Sequence, residues 1–416
     1  MGTNRLLCFL LFCVVGLFAN AQSMRVLGDP ADELSDRWGN TVAIDAGFDY
    51  NANSLLNEFV LGIYQGQYLD RDLRERTRSA LRTRNSVGYA LHARISWTGS
   101  DSLFGHAQWR PIISIAHHEQ LGARFTQDLY AITFFGNAGF EGRRADLGPS
   151  AFTRTQYQTA GFGIRDDRTG SFIRMDVVNG QSIDEADVRW AGIHTGVDGR
   201  VIRGAILADY FRSDTAGGNL GRNNGIGAAF TGRWAIRLDR SATPAWLNIA
   251  VEDFGFVRWN ANAVRIQKDT VVAFSGLDVA SILDLDAVLV GEDQLLDTFG
   301  LRYRTGPFVR MLPFRASVQL AAPLGDRWYG RATLDQRNLP GYVPQLAFAV
   351  DRTFPSGFLV GTELSMGGLG RLRAGLTVRK RFNDRVDVSL FSPNVPGFFH
   401  GRSRGAGAFL NVEFGF

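Results

Sequence analysis

Apolar residues recur at every second position along much of this sequence, and this period of two constrains the fold more than any other feature. The alternation is clearest in residues 314–322, 328–335, 358–366, 372–379 and 386–390, and it also occurs in 42–50 and 87–98. Successive side chains of a strand point to opposite faces, so the pattern predicts strands with one apolar face. Short turn signals such as Gly325-Asp326 and Asn383-Asp384 separate the segments, which indicates a meander of about 14–18 strands.

The N-terminus carries the pattern of a secretory signal peptide. A basic start, Met1–Arg5, precedes the apolar run Leu6–Phe18, and Ala19-Asn20-Ala21 supplies small residues at a cleavage site. The run is about 13 residues long, shorter than the roughly 20 that a membrane-spanning helix needs. We therefore expect residues 1–21 to be removed near Ala21-Gln22, and the protein to be exported. Both cysteines lie in this segment, so the mature chain would have none.

The alternating strands can form a membrane barrel or a soluble β-sandwich or propeller. Charged residues of both signs lie on the polar face, which suits a water-filled lumen, and aromatic residues such as Tyr50, Trp97 and Trp328 end the apolar faces, which suits a girdle at a membrane interface. Together with the signal peptide, these features predict an all-β fold. The expected architecture is a single antiparallel outer-membrane β-barrel with short helical inserts, located in the cell outer membrane and surrounded by its lipid bilayer.

The last residues of the chain resemble a barrel-assembly signal. Apolar residues at even positions, ending with Phe414 and Phe416, alternate with Asn411, Glu413 and Gly415, and the chain stops on an aromatic residue. A final amphipathic strand of this kind is what the barrel-assembly machinery reads, so that machinery is an expected partner.

Three segments interrupt the alternation and divide the chain after the signal peptide into an N-terminal segment, residues 22–40, and a barrel, residues 41–416, with inserts. The inserts are expected at about 51–86, 137–156 and 276–300. The first has helical spacing and includes the basic stretch Arg71–Arg84, which contains six arginines. The second is a glycine-rich polar connection of about 20 residues, a length that is usually functional or disordered.

The third insert is acidic and opposes the first in charge. Asp278–Asp297 contains six acidic residues and no basic one, and its spacing does not fit a calcium-binding loop. The candidate contacts between the two inserts are Arg74, Arg76, Arg78, Asp284, Asp286 and Asp293. The basic insert is either a plug packed in the lumen or a helix pair on the barrel rim, and the acidic insert is either its partner or a solvated helical face.

The strand count also makes a prediction about the two sides of the membrane. If the strand at Val42–Tyr50 begins in the periplasm, residues 51–86 are extracellular and residues 137–156 are periplasmic. Periplasmic turns are usually short, so a long periplasmic segment is unusual. One strand counted wrongly would reverse these assignments.

The sequence contains no motif for catalysis, a cofactor or a metal. It has no G-x-S-x-G elbow, H-E-x-x-H or P-loop. Adjacent residues of the cluster His117-His118-Glu119 would point to opposite faces of a strand and could not share one ion. The net charge of +4 is small for 416 residues, which argues against a nucleic-acid partner. We therefore expect a protein that is not an enzyme and has no cofactor.

Several stretches together resemble a family of Bacteroidota outer-membrane β-barrels that is catalogued as domain of unknown function 5723. They are residues 125–147, residues 251–259 and the ending FGF, with the helical insert after the first strand at 55–70. The general plan of this family is similar to that of the fatty-acid-transporter-like barrels and of barrels in the gliding and type IX secretion apparatus. The resemblance implies no catalytic residues.

Two functions fit these features. The first is passive, porin-like transport of small, partly hydrophobic solutes, although the charged polar faces argue against a purely apolar pocket. The second is a non-enzymatic structural or secretion-associated barrel whose polar inserts bind other envelope proteins.

Overall fold

The computed structural model describes residues 39–137, 139–197, 202–214, 221–241, 243–274, 304–382 and 385–416. The expected signal peptide lies outside these ranges. So does the acidic insert, with Asp284, Asp286 and Asp293.

The described residues form nineteen strands, three α-helices and one 3-10 helix. In chain order the strands are β1 (Thr41–Ala52), β2 (Asn85–Thr98), β3 (Trp109–Phe125), β4 (Arg144–Asp146), β5 (Ser150–Asp166), β6 (Phe172–Thr195), β7 (Ile202–Arg212), β8 (Gly225–Arg237), β9 (Trp246–Trp259), β10 (Val264–Phe274), β11 (Arg304–Thr305), β12 (Val309–Met311), β13 (Arg315–Gly325), β14 (Trp328–Arg337), β15 (Val343–Thr353), β16 (Phe358–Gly368), β17 (Arg373–Phe382), β18 (Val386–Ser392) and β19 (Gly405–Gly415). The helices are α1 (Asn57–Tyr64), α2 (Arg71–Ala80), α3 (Gln127–Phe135) and the 3-10 helix Val395–Phe398. Among the described residues, no helix has both the length and the apolar character needed to cross a bilayer.

Fourteen of these strands close into a barrel, which confirms the predicted fold class. Around the wall the order is β1, β2, β3, β5, β6, β8, β9 and then β13 to β19. The barrel closes where β19 pairs antiparallel with β1, from Thr41↔Gly415 to Asn51↔Gly405. On its other side β1 pairs with β2 at Ala52↔Val87, so the fourteen strands form a ring, which is the form in which a sheet exists within lipid.

The remaining strands extend the sheet at one end of the barrel. Strand β6 has 24 residues. Its first part pairs with β8 in the wall, and its second part pairs with β7, which pairs in turn with β10. This three-stranded extension begins beyond the part of β6 that pairs with β8.

The two ends of the barrel differ in the length of their connections. The terminal end, where β1 begins and β19 ends, carries turns such as 326–327 and 354–357. The helical end carries α1, α2, α3 and the β6 extension. The expectation that residues 51–86 and 137–156 lie on opposite sides was wrong, because two strands, β2 and β3, lie between them and return the chain to the same end.

The second insert, expected as one polar connection over 137–156, contains strand residues in the structure. Strand β5 already begins at Ser150, and the three-residue strand β4 pairs with β6. The unpaired connection is therefore shorter than 137–156, because its C-terminal third alternates and joins the wall.

The three α-helices form a layer against the outer surface of the barrel at the helical end. Phe59 of α1 and Tyr130 of α3 are buried together, with ring centroids 5.6 Å apart. Tyr50, Val87 and Phe125, which lie on the outward faces of β1, β2 and β3, pack against this cluster. The apolar residues with helical spacing therefore cover the outside of the wall.

Candidate functional site: the barrel lumen

Strand β16 shows how the wall separates two environments. Its residues alternate between exposed and buried from Phe358 to Met366. The outward side chain of Leu364 is 56% exposed, whereas the inward Glu363 beside it is 5% exposed. A wall that exposes apolar side chains and buries charged ones is the reverse of a soluble protein and is the pattern of a barrel in lipid.

The apolar outer surface has a limit toward the helical end. On β3, Ile113 and Ile115 point outward and are exposed, but the next outward residues are His117 and Glu119. The Glu119 carboxylate accepts a hydrogen bond from Arg154 Nη2 at 2.7 Å. The wall therefore continues beyond its apolar band and presents polar side chains at the helical end.

Inward-facing arginines and carboxylates form buried ion pairs, within one strand or between different strands of the wall. Arg331 Nε lies 2.6 Å from Asp351 Oδ2, and the two side chains are 3% and 0% exposed. Three further pairs with inward-facing arginines are Arg174–Asp176 at 2.8 Å, Arg373–Asp49 at 2.8 Å and Arg379–Asp387 at 2.8 Å. Since buried charges are stable only when they are paired, these contacts fix the inner side chains in place.

A cluster of aromatic and titratable groups lies on the inner face of β2, β3, β5 and β9. His118 stacks on Tyr157 with ring centroids 4.8 Å apart, and its Nδ1 lies 3.6 Å from Asp253 Oδ2. The Tyr157 hydroxyl donates a hydrogen bond to the same Asp253 oxygen at 2.9 Å. Asp253 has a positive φ of 54°, and its N–H donates to Thr231 Oγ1. This strained residue lies within the register shift between β8 and β9, which aims its carboxylate into the lumen.

The described residues line two adjoining cavities within the lumen. The central cavity has a volume of about 150 Å³ and is bounded by residues from Asp49 and Pro393 to His118 and Glu363. The terminal cavity has a volume of about 180 Å³ and reaches Thr41 and Thr98 at the terminal end. Both touch Glu252, Arg315, Thr333, Asn411 and Glu413, so they are neighbours that share one layer of side chains.

The two cavities have opposite charge. Seven carboxylates and four guanidinium groups line the central cavity. Three carboxylates and five guanidinium groups line the terminal cavity. A solute that moves along the lumen therefore meets first one sign of charge and then the other.

Two turns close the lumen at the helical end. The β14–β15 turn reaches across the barrel to β3, where a Cβ added to Gly122 would lie 2.8 Å from Leu339 Cβ. The β16–β17 turn reaches β2, where a Cβ on Gly88 would lie 2.5 Å from Leu369 Cδ1. The Ser86 hydroxyl donates to the Leu369 carbonyl at 2.8 Å. Glycines on the opposite wall thus make room for turns that cover the central cavity.

An apolar cluster fills the lumen beside these turns. Its members come from the inner faces of β5, β6, β8 and β9 and from the segment before β13, and they include Tyr157, Ile183, Val257, Trp259, Phe308 and Leu312. A wall of fourteen strands is wider than the eight-stranded barrels that side chains alone can fill. The β14–β15 and β16–β17 turns, which we call the crossing turns, occupy the extra space together with this cluster.

The predicted arginine contacts lie in the outer helical layer. Arg76 Nη2 is 3.2 Å from Glu58 Oε1, and Arg78 Nη1 is 3.9 Å from Glu75 Oε2. Arg74 Nη1 donates to the Phe134 carbonyl at 2.7 Å. None of these three arginines lines either lumenal cavity.

The same layer holds a tyrosine whose hydroxyl stays protonated. Burial raises the pKa of Tyr130 to about 12. Its hydroxyl donates to the Arg74 carbonyl at 3.0 Å, so it connects α3 to α2 at any physiological pH.

The predicted assembly residues lie at the seam of the barrel. Phe414 pairs with Val42 of β1 and with Val386 of β18, and its side chain points outward. Phe416 exchanges backbone hydrogen bonds of 3.0 Å with Asn40. Both aromatic side chains are exposed on the outer surface at the terminal end.

Among the comparisons with known proteins, only those with solved structures found similar chains. No protein-family model matches the sequence, and no curated protein is similar to it. The TodX deltaS2S3 mutant monoaromatic hydrocarbon channel has 10% identity and a TM-score of 0.45, with 96% of each chain covered. The P. putida toluene transporter TodX has 10% identity and a TM-score of 0.39, covering 91% of this chain and 90% of its own.

A domain of an autotransporter is also similar. The translocator domain of the autotransporter NalP from Neisseria meningitidis has 9% identity and a TM-score of 0.32, covering 95% of this chain and 100% of its own. Identities and TM-scores this low say nothing about what the lumen of this chain carries. The barrel itself is established by its strand pairing.

Sequence reasoning missed the features that shape the lumen. Alternation assigns Arg331, Asp335 and Glu363 to the polar face, but it does not give their partners, which depend on strand register. The crossing turns carried a signal in Gly88 and Gly122, two inward-facing glycines that pair with each other. The residues that pack against these glycines, Leu339 and Leu369, come from a distant part of the chain, so the local sequence does not identify them.

Proposed function

We propose that this protein is an outer-membrane barrel whose lumen is a narrow, gated path for passive movement of small solutes, and that it has no enzymatic role. The observation that carries the proposal is the pair of adjoining cavities inside a wall that is charged within and apolar outside. Charged lining favours small polar or charged solutes over the partly hydrophobic ones that the sequence suggested.

The orientation follows from the two ends of the barrel. Outer-membrane barrels have short periplasmic turns and longer extracellular loops. We therefore place the terminal end in the periplasm and the helical end outside the cell. The crossing turns would then close the lumen from the extracellular side.

Export and assembly complete the proposal. Residues 1–21 act as a cleaved signal peptide, and the barrel-assembly machinery inserts the chain by recognising β19 with Phe414 and Phe416. We also propose that the chain belongs to the Bacteroidota family of domain of unknown function 5723, which the resemblance of residues 125–147 and 251–259 supports.

Planar-bilayer conductance tests the transport function. The wild-type protein is compared with the double variant Leu339→Ser/Leu369→Ser, which weakens the buried contacts of both crossing turns. We expect small, brief openings for the wild type and a severalfold larger conductance for the variant. Leu372→Ser is the matched control, because Leu372 lies beside the same turn but is exposed, and it should behave as the wild type. A purified, folded barrel that does not conduct in any of the three forms contradicts the proposal.

The second candidate function is binding of another envelope protein. Tyr64 and Tyr68, in and after α1, are 88% and 86% exposed at the helical end. Exposed aromatic residues of this kind are common at protein interfaces. Photo-crosslinking from position 68 in intact cells tests this role, and a single discrete crosslinked protein would support it.

A further inference from the structure

We propose that the central cavity binds a small organic cation of the ammonium or guanidinium type, with the Glu363 carboxylate as its counter-ion. The inference names the charge class of the solute that the lumen holds. Its relevance to transport rests on the proposed function.

The first observation is that Glu363 has no partner within the described chain. Its side chain is 95% buried, lines the central cavity, and makes no hydrogen bond or ion pair with another described residue. Its direct neighbours on the adjacent strands are Ala349 and Gly375, neither of which can pair with a carboxylate.

The arginines whose charges act most strongly on Glu363 are already paired elsewhere. The charges of Arg331 and Arg373 act on Glu363, but Arg331 donates to Asp351 at 2.6 and 3.1 Å. Arg373 donates to Asp49 at 2.8 and 3.0 Å. A buried carboxylate that the protein does not neutralise favours a cation from outside.

The second observation is the charge of the cavity as a whole. Its seven carboxylates exceed its four guanidinium groups by three, whereas the neighbouring terminal cavity has the opposite balance. The excess is therefore local to the cavity that holds Glu363. In a lumen with low-dielectric walls, such an excess concentrates cations.

Size and ligand chemistry select the class of cation. A volume of about 150 Å³ is roughly ten times that needed for one water molecule, so a small organic molecule fits. Within the described residues, no group of three or more histidine, cysteine or acidic side chains is placed to hold a metal ion. Hydrogen-bond donors that carry a positive charge, as on an ammonium or guanidinium group, match a lone carboxylate.

Isothermal titration calorimetry of the folded protein in detergent tests the site. The probe is methylguanidinium chloride, and the control ligands are methylurea, which has nearly the same shape without charge, and sodium acetate. We expect saturable binding of methylguanidinium and none of methylurea or acetate. Glu363→Gln should weaken binding at least tenfold. Glu141→Gln, which removes a carboxylate exposed at the helical end, should leave the affinity unchanged.

Two results would overturn the inference. One is a Glu363→Gln protein, folded by heat-modifiable gel migration, that binds the probe as the wild type does. The other needs no variant: wild-type protein that binds methylurea as well as methylguanidinium, or binds neither. Conductance tests the proposed function, and calorimetry tests this inference. A barrel that binds methylguanidinium but does not conduct contradicts only the proposed function. A barrel that conducts but does not bind methylguanidinium through Glu363 contradicts only this inference.

Discussion

At the scale of single residues, Arg331 and Asp351 show what the lumenal ion pairs contribute. Both are almost fully buried and joined by two hydrogen bonds. Replacing Asp351 with asparagine removes the charge but keeps the shape, so it leaves a buried guanidinium without its counter-ion. We expect the free energy of unfolding to fall by about 3–5 kcal/mol.

Urea unfolding from lipid vesicles measures this change. Asp146→Asn is the control, because Asp146 pairs with Arg144 at 3.0 Å but both side chains are well exposed. That change should be worth about 0–1 kcal/mol. Equal stabilities for the two variants would show that the lumen is solvated like the surface.

At the scale of elements, the position of α2 distinguishes a plug packed in the lumen from a helix pair on the barrel rim. Its arginines contact α1, α2 itself and α3, and the pairs are partly exposed. Replacing Arg74, Arg76 and Arg78 together with glutamine should therefore reduce stability by about 1–3 kcal/mol. The planar-bilayer conductance should not change at low or high salt. A larger or noisier conductance in the triple variant would show instead that α2 acts as a plug in the lumen.

Strand β19 supports a second prediction at this scale. Deleting Phe414–Phe416 removes pairing to β1 and β18 at the seam, so we expect little of the protein to reach the outer membrane. Deleting Gly66–Tyr68, an equally long exposed segment, should have little effect. The measurement is the amount of protein in the outer-membrane fraction, and equal amounts for the two deletions would refute the role of the seam.

The elements also show how far the sequence could predict the structure. Strands β16 and β19 follow from their alternation, because burial of one face imposes a period of two. The helical character of α1 and α2 follows from their spacing. Their position against Tyr50 and Val87 does not, because it depends on contacts with outward-facing residues whose neighbours only the closed barrel defines. The β14–β15 turn contacts Gly122 on the opposite side of the lumen. The local sequence pattern of the turn does not predict this contact.

At the scale of the whole molecule, the barrel is a wall with lipid on one side and a polar lumen on the other. Adjacent residues on one strand should therefore meet different environments. Thr333 lines both cavities, whereas Leu334 beside it is exposed on the outer face. On the paired strand, Ala347 lines the central cavity and Phe348 faces outward.

Spin-label accessibility in lipid vesicles measures this difference most directly. Residues 22–416 contain no cysteine, so single cysteines at 333, 334, 347 and 348 can be labelled in the chain without its signal peptide. We predict that labels at 334 and 348 collide freely with oxygen and hardly with a water-soluble nickel chelate. Labels at 333 and 347 should show the reverse preference. Equal behaviour of the two members of either pair would contradict a membrane-embedded wall around a polar lumen.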